Sequence, residues 1–207
     1  MDLRKIQDII FDLGGVIIGL DVRRTVSKMA ELMHTTELEA QSVFESKAQF
    51  KAYEMGRMTD RKFRDFIRSL APRPVSDSAI DTAWNAMILD IPDNHFELLS
   101  RLSKKYRVHL LSNTNNIHLQ CVKQKLELAG RGQLAHYFHR EFYSHKMGMR
   151  KPNRNIYEQV LKAGEMEAEA TLFLDDNLDN LAGAKSLGIQ VKHVRKLTDT
   201  ANFFNER

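Results

Sequence analysis

Cysteine is nearly missing: Cys121 is the only one in 207 residues. A single thiol forms no intrachain disulfide and no zinc-type cysteine cluster, which fits a reducing cytoplasm. It falls on a helical stripe with Ile117, Val122 and Leu126, where a small hydrophobe is expected rather than a catalytic thiol. Long apolar runs are missing too. The stretch 9–20 is broken by Asp12 and three glycines, so it reads neither as a membrane span nor as a signal peptide. Charge of one sign never accumulates, since 31 Lys and Arg face 27 Asp and Glu for a net charge of +4. That mild positive field suits an anionic small ligand, and no basic strip interleaved with aromatics suggests nucleic acid. The expectation is a soluble cytoplasmic protein, a monomer or weak homodimer, with neither nucleic-acid nor membrane partners.

What is present is an alternation of two patterns. The run Ile6–Phe11 is short and isoleucine-rich, as a buried parallel strand would be, and it ends in Asp12-Leu13-Gly14-Gly15, where glycines permit a sharp turn. From Val22 to Leu89 only helical periodicity appears. One stripe carries Val22, Val26, Met29 and Met33, a second Leu38, Val43 and Phe44, a third Phe63, Phe66, Ile67 and Leu70, and a fourth Ile80, Ala83, Trp84 and Ile88. Thr59 or Asp60 caps the third, and Ser76 opens the fourth after the Pro72–Pro74 break. This reads as a four-helix insert. Beyond Pro92 strands and helices alternate, with strands expected at 107–111, around 142–145, at 171–174 and at 190–194. Such alternation implies an α/β fold with a doubly wound, mostly parallel sheet.

Three of these strands end in chemically capable residues: Asp12, Ser112-Asn113 and Asp175-Asp176. Ligands of open parallel sheets bind beyond the carboxyl ends of the strands, so these groups should converge on one crevice, with Lys151 adding a cation. Each has a plainer explanation when taken alone. Asp12 could be a turn residue, Ser112-Asn113 a helix cap, Lys151 a solvated loop residue and the acidic pair a helix start. Together, in this order, they favour a site.

The segments Phe11-Asp12-Leu13-Gly14-Gly15-Val16, Leu111-Ser112-Asn113-Thr114-Asn115, Gly148-Met149-Arg150-Lys151-Pro152 and Phe173-Leu174-Asp175-Asp176-Asn177 resemble the four ordered motifs of the haloacid dehalogenase-like (HAD) superfamily. Gly-Met-Arg-Lys-Pro and Asp-Asp-Asn-x-x-Asn look most like its bacterial sugar-phosphatase branch, which includes an α-glucose-1-phosphate phosphatase. The resemblance implies a Rossmann-like core over 1–20 and 91–207, with a small α-helical cap inserted at 21–90. It implies a Mg²⁺-dependent phosphomonoester hydrolase acting on a small, sugar-like phosphorylated metabolite. Asp12 would attack phosphorus and become an aspartyl-phosphate. Asp12, the carbonyl of Gly14 and Asp176 would hold Mg²⁺, with Asp175 as a direct or water-mediated partner. Lys151 would neutralise Asp12 and a phosphoryl oxygen, while the Ser112 hydroxyl and a nearby backbone amide would position the remaining oxygens, with Asn113 among the phosphate-binding residues. Glu54-Met55-Gly56-Arg57 resembles a cap segment of that branch, which makes Glu54 and Arg57 candidate substrate contacts beside Phe50 and Tyr53.

One position departs from the pattern. Most phosphatases of the superfamily carry a general acid–base Asp two residues after the nucleophile, and here that residue is Gly14. General acid–base help is worth roughly a hundredfold to ten-thousandfold in rate. A good leaving group, such as an anomeric sugar oxygen, would lessen the need for it, or Asp21 or Asp179 would substitute. Two rivals follow: a metal-independent 2-haloacid dehalogenase, which has no use for the acidic pair, and a low-activity phospholigand-binding regulator. His136 and His139 lack a matching carboxylate and read as packing or surface residues. Trp84 reads as core, and His118, just after the 112–116 segment, as a helix-surface residue that could also visit the active site.

Overall fold

A computed structural model describes residues 2–205. Strand β1 (Asp8–Phe11) forms at the isoleucine-rich run, and all four of its residues are buried. It lies at the centre of a five-stranded sheet with β2 (Arg107–Ser112), β3 (Arg140–Tyr143), β4 (Thr171–Asp175) and β5 (Gln190–His193). The strand order is β3-β2-β1-β4-β5 and every pairing is parallel. Each central strand is buried on both faces, which is why these strands read as apolar runs rather than as alternating ones. Ile9, Phe11, Val108, Leu110, Leu172 and Leu174 pack into one apolar cluster. The out-of-phase residues Ile10, Leu111 and Phe173 pack into another with Ile156, Tyr157 and Leu181. Burying one such side chain contributes about 1.5–3 kcal/mol.

The helices that supply those clusters are α6 (Asp93–Leu102), α7 (Asn116–Leu128), α9 (Arg154–Gly164), α10 (Leu178–Lys185) and α11 (Thr198–Asn205), with a single turn, α8 (Ser144–Met147), after β3. Within the insert, between residues 22 and 89, the chain forms five helices, not four: α1 (Val22–Met33), α2 (Glu37–Ser46), α3 (Ala48–Glu54), α4 (Asp60–Leu70) and α5 (Asp77–Asn85). The extra one is α3, separated from α2 by Lys47 in an extended conformation. Thr59 and Ser76 cap α4 and α5 with their hydroxyls, as expected. Asp21 precedes α1 but makes no capping bond. The insert has its own apolar cluster, in which Phe63, Phe50, Trp84 and Tyr53 stack and tilt on one another. Ile117 of α7 belongs to the same cluster, so the insert is seated on the sheet unit by an apolar contact.

The two strands of chain that enter and leave the insert run side by side. Leu89 N–H donates to Gly19 O at 2.9 Å, Asp21 N–H donates to Met87 O at 2.9 Å, and Leu20 bridges Ile88 in antiparallel fashion. β3 differs from expectation by starting at Arg140 and ending at Tyr143, where α8 begins. Its register with β2, His109 to Arg140 and Ser112 to Tyr143, decides those limits. Among the described residues no helix is long and apolar enough to cross a membrane.

Candidate active site

Sheet register brings the predicted residues together. Phe11 is level with Leu110 on one side and with Leu174 on the other. The next residue along each strand is therefore Asp12, Leu111 or Asp175, and Asp12 N–H extends the ladder to Leu174 O at 2.9 Å. The chain order turns back between β1 and β4, and a sheet of this kind opens a crevice at that point.

After Asp12 the backbone closes a tight loop, in which Ile17 and Ile18 N–H both donate to Leu13 O at 2.9 Å. Gly15 adopts φ +71°, and a Cβ there would lie 2.4 Å from Asp176 Oδ2. Glycine is needed on both counts: left-handed backbone and close approach to a carboxylate. At Gly14 the neighbouring space belongs to Leu20, whose Cδ1 would meet an added Cβ at 2.4 Å.

Lys151 is fully buried. Its ammonium lies 2.9 Å from Asp12 Oδ1, 2.6 Å from Asp175 Oδ2 and 3.2 Å from Leu111 O. The contacts to Leu111 O and Asp175 are hydrogen bonds, and that to Asp12 is an ion pair. Lys151 is thus ion-paired with Asp12 and with Asp175 at once. The Asn113 side chain is also committed. It donates to Lys151 O at 3.0 Å and accepts from Lys151 N–H at 2.9 Å, so it fixes the lysine's peptide while lining the crevice. Ser112 is 3% exposed, lines the crevice, and its hydroxyl has no hydrogen-bond partner among the described residues.

The acidic pair divides its work. Asp175 is fully buried and accepts from Lys151, from Asn177 N–H at 2.8 Å and from Asn180 Nδ2 at 3.0 and 3.1 Å. Asp176 is exposed, and Asp12, Asp175 and Asp176 each offer an oxygen within 4.8 Å of the others. Among the described residues no other group of three such side chains converges in this way. His139 and His136 instead accept backbone N–H groups, from Val108 and Gln133. Enclosure pushes the Asp12 carboxyl up to about 7; Lys151 works against that rise, while Asp175 and Asp176 add to it. Asp176 is raised for the same reasons, burial first and Asp175 second. Burial also opposes the charge on Lys151, but Asp12 and Asp175 outweigh it and hold its pKa above the usual lysine value. Three carboxylates facing one ammonium leave excess negative charge, and an oxygen-only set of this kind suits a hard divalent cation.

Above these residues the insert closes a cavity of about 190 Å³, lined by Gly14, Leu20, Ser112, Glu54, Trp84 and His118 among others. Glu54 therefore lies where a substrate contact was expected, paired with Arg150 at 3.1 Å. Arg57 does not: it is exposed on the next turn and outside the cavity lining. Phe50 and Tyr53 are buried within the insert, and Tyr53 Oη donates to Asp60 at 2.7 Å. Asp60 in turn accepts from Asn116 of α7 at 2.7 Å, joining insert to sheet unit. Asp21 is paired with Arg24 at 3.2 Å and Asp179 is exposed on α10, and neither lines this cavity.

A family model for haloacid dehalogenase-like hydrolases matches residues 7–188. The chain belongs to that family. Among curated proteins, the D-ribitol-5-phosphate phosphatase of Bacteroides thetaiotaomicron is 26% identical over 186 residues, covering 89% of this chain and 90% of that protein. A HAD-family enzyme from the same organism, solved with magnesium and inorganic phosphate, superimposes with a TM-score of 0.84 at 34% identity, covering 91% of this chain and 93% of that one. An L-2-haloacid dehalogenase from Xanthobacter autotrophicus shares the fold, with a TM-score of 0.61, 19% identity and coverage of 91% and 77%.

For this hydrolase two crevice residues read from the sequence chiefly as structural. Trp84 packs in the insert's core and yet lines the cavity, and His118 faces inward from the first turn of α7. Helical spacing places Trp84 in a core and His118 on a helix surface, but it does not say that another unit of the same chain covers that surface.

Proposed function

We propose that this hydrolase is a Mg²⁺-dependent phosphomonoesterase that acts through an aspartyl-phosphate on Asp12, with a small sugar- or polyol-like phosphate as substrate. One observation carries the reading: a nucleophile-capable carboxylate at a strand end, 2.9 Å from a buried ammonium and within 4.8 Å of two more carboxylates. Asp12, Asp176, the Gly14 carbonyl and, directly or through water, Asp175 would hold Mg²⁺. The metal supplies charge neutralisation between carboxylate and phosphate dianion, which otherwise repel.

The chain's own groups then divide the work. A carboxylate oxygen of Asp12 attacks phosphorus, the bond from phosphorus to the substrate oxygen breaks, and the departing oxygen takes a proton from water. A second water attacks phosphorus, releasing phosphate and restoring Asp12. Lys151 offsets the charge of Asp12, and Asn113 keeps the lysine in register. Ser112, whose hydroxyl is free and faces the crevice, supplies a donor to a phosphoryl oxygen. Residues 21–90 act as a cap over a core of 1–20 and 91–207, a division supported by the paired linkers at 19–21 and 87–90. Gly14 contributes no proton, and Leu20 fills the space where an acidic side chain would stand.

The dehalogenase alternative has little use for Asp176 and Asp175. The relatives at 34% identity include a magnesium and phosphate complex, against 19% for the dehalogenase. The test is hydrolysis of a panel of phosphorylated metabolites with Mg²⁺, including ribitol 5-phosphate and glucose 1-phosphate. Wild-type protein should turn over at least one, a chelator should abolish that turnover and Mg²⁺ restore it, and Asp12→Asn should be inactive. Full activity of Asp12→Asn refutes the nucleophile. Halide release from a 2-haloacid without metal supports the dehalogenase, and phosphate binding without turnover supports a regulator.

A further inference from the structure

His118 is held on three sides. Its backbone N–H donates to Asn115 Oδ1 at 3.0 Å in the first turn of α7. Its ring stacks on Trp84, with centroids 4.8 Å apart and planes inclined by 11°. Its Nδ1 lies 2.8 Å from Asn85 Oδ1. Trp84 and Asn85 are consecutive residues of α5 in the insert, so the insert grips by face and by edge a ring that belongs to the sheet unit.

That grip selects a tautomer. An amide oxygen only accepts, so Nδ1 carries the ring hydrogen and Nε2 keeps a lone pair. Nε2 has no hydrogen-bond partner and is not among the sealed polar atoms, while the ring lines the cavity with Ser112, Gly14 and Glu54. Enclosure pushes the His118 pKa down to about 3, so the ring stays neutral at working pH. A neutral ring in this tautomer has no hydrogen on Nε2 to give. His118 therefore does not replace the acid missing at Gly14, and the only polar act left to Nε2 is to accept. Glu54, which the insert sends into the cavity, has one carboxylate oxygen held by Arg150.

We propose that His118 is a specificity residue: its Nε2 accepts a hydrogen bond from a hydroxyl on the substrate's carbon skeleton, selecting sugar- and polyol-like phosphates over hydroxyl-free ones. The inference rests on the phosphatase reading above and adds how the leaving group is read. A bound substrate displaces water from this acceptor, and an acceptor then left without a donor costs free energy, so the site discriminates against an analogue that lacks the hydroxyl.

The experiment compares kcat/KM, with Mg²⁺, for the preferred sugar or polyol phosphate and for phenyl phosphate, which has no skeletal hydroxyl. His118→Phe keeps the ring stack and removes the acceptor, and the ratio of the two values should fall by about tenfold or more. His118→Gln returns an acceptor and should recover part of the ratio. Asn85→Leu releases the tautomer from outside the cavity and should lower the ratio in the same direction, which also serves if His118→Phe does not fold. A purely structural role would depress both substrates alike, and an unchanged ratio in the folded variants overturns the proposal. A wild-type protein inactive on every phosphate overturns the phosphatase reading and this inference with it. An active wild type with an unmoved ratio overturns this inference alone.

Discussion

Asp12 must be ionised to attack, yet enclosure beside Asp175 and Asp176 holds its pKa at about 7 in the metal-free protein. The sign of the consequence follows from linkage. A carboxyl whose folded pKa lies above the unfolded value binds more protons folded than unfolded, so its stabilising contribution is full below about pH 4 and is lost as pH rises through about 7. Metal-free wild-type protein should therefore lose stability relative to Asp12→Asn between pH 4 and 8, each tenfold in proton affinity being worth about 1.4 kcal/mol. Denaturant midpoints of the two proteins in EDTA, across that range, check it; parallel curves would contradict it. Gly15 offers a second test at the same scale. Gly15→Ala forces a methyl group to within 2.4 Å of Asp176 Oδ2 and strains a backbone at φ +71°. It should weaken Mg²⁺ binding by tenfold or more, about 1.4 kcal/mol, in a calorimetric titration, with phosphatase activity rescued in part by high Mg²⁺.

The insert meets the sheet unit through a few elements packed without spare room. Ser144 Oγ at the start of α8 donates to Glu54 O at 2.6 Å, and Gly56 passes so close to α8 that a Cβ would lie 2.0 Å from His145 O. Gly56 is at φ +67°, so alanine there is strained by its backbone and blocked by the neighbouring carbonyl. Gly56→Ala should prise α3 from α8, misplace Glu54 and lower kcat/KM by about tenfold or more, the scale on which a misplaced contact costs rate. Limited proteolysis should then cut between α3 and α4 sooner than in wild type; intact kinetics would show that this docking is irrelevant to turnover. The same elements show what the sequence makes legible. β1, β2 and β4 are buried on both faces and end in polar residues, so their runs and the site at their ends stand out. β3 pairs only with β2 and opens with Arg140 and Glu141, so its pattern is weak and its limits come from register. α3 has seven residues, too few to show a period. Glu54 and Arg57 were equivalent on paper; the contact of Gly56 with His145, 89 positions away in the chain, turns one toward the cavity and leaves the other in solvent. The lock on His118 likewise joins α5 to α7 across 33 residues. Strand-end polarity marks Asn113 but says nothing of the brace that its side chain gives the Lys151 peptide.

For the molecule as a whole, the gathering of Asp12, Asp175 and Asp176 at the ends of two adjacent strands exists only when the sheet is formed, because the residues are 163 positions apart in the chain between Asp12 and Asp175. A cation that binds this trio binds the folded state and not the unfolded one. Mg²⁺ should therefore raise thermal stability in proportion to the logarithm of its concentration, by about 2.7 kcal/mol at a hundredfold excess over Kd. For a chain of this length each kcal/mol moves Tm by about 2–4 °C, so a rise of roughly 5–10 °C is expected. Asp176→Asn keeps the exposed side chain's shape while removing a ligand charge, and it should lose most of that rise without losing the fold. Ca²⁺ is the control, since it takes more oxygens at longer distances than a small octahedral ion does. A Tm that ignores Mg²⁺, or a rise that survives Asp176→Asn in full, would place the cation elsewhere and leave the three carboxylates without a role.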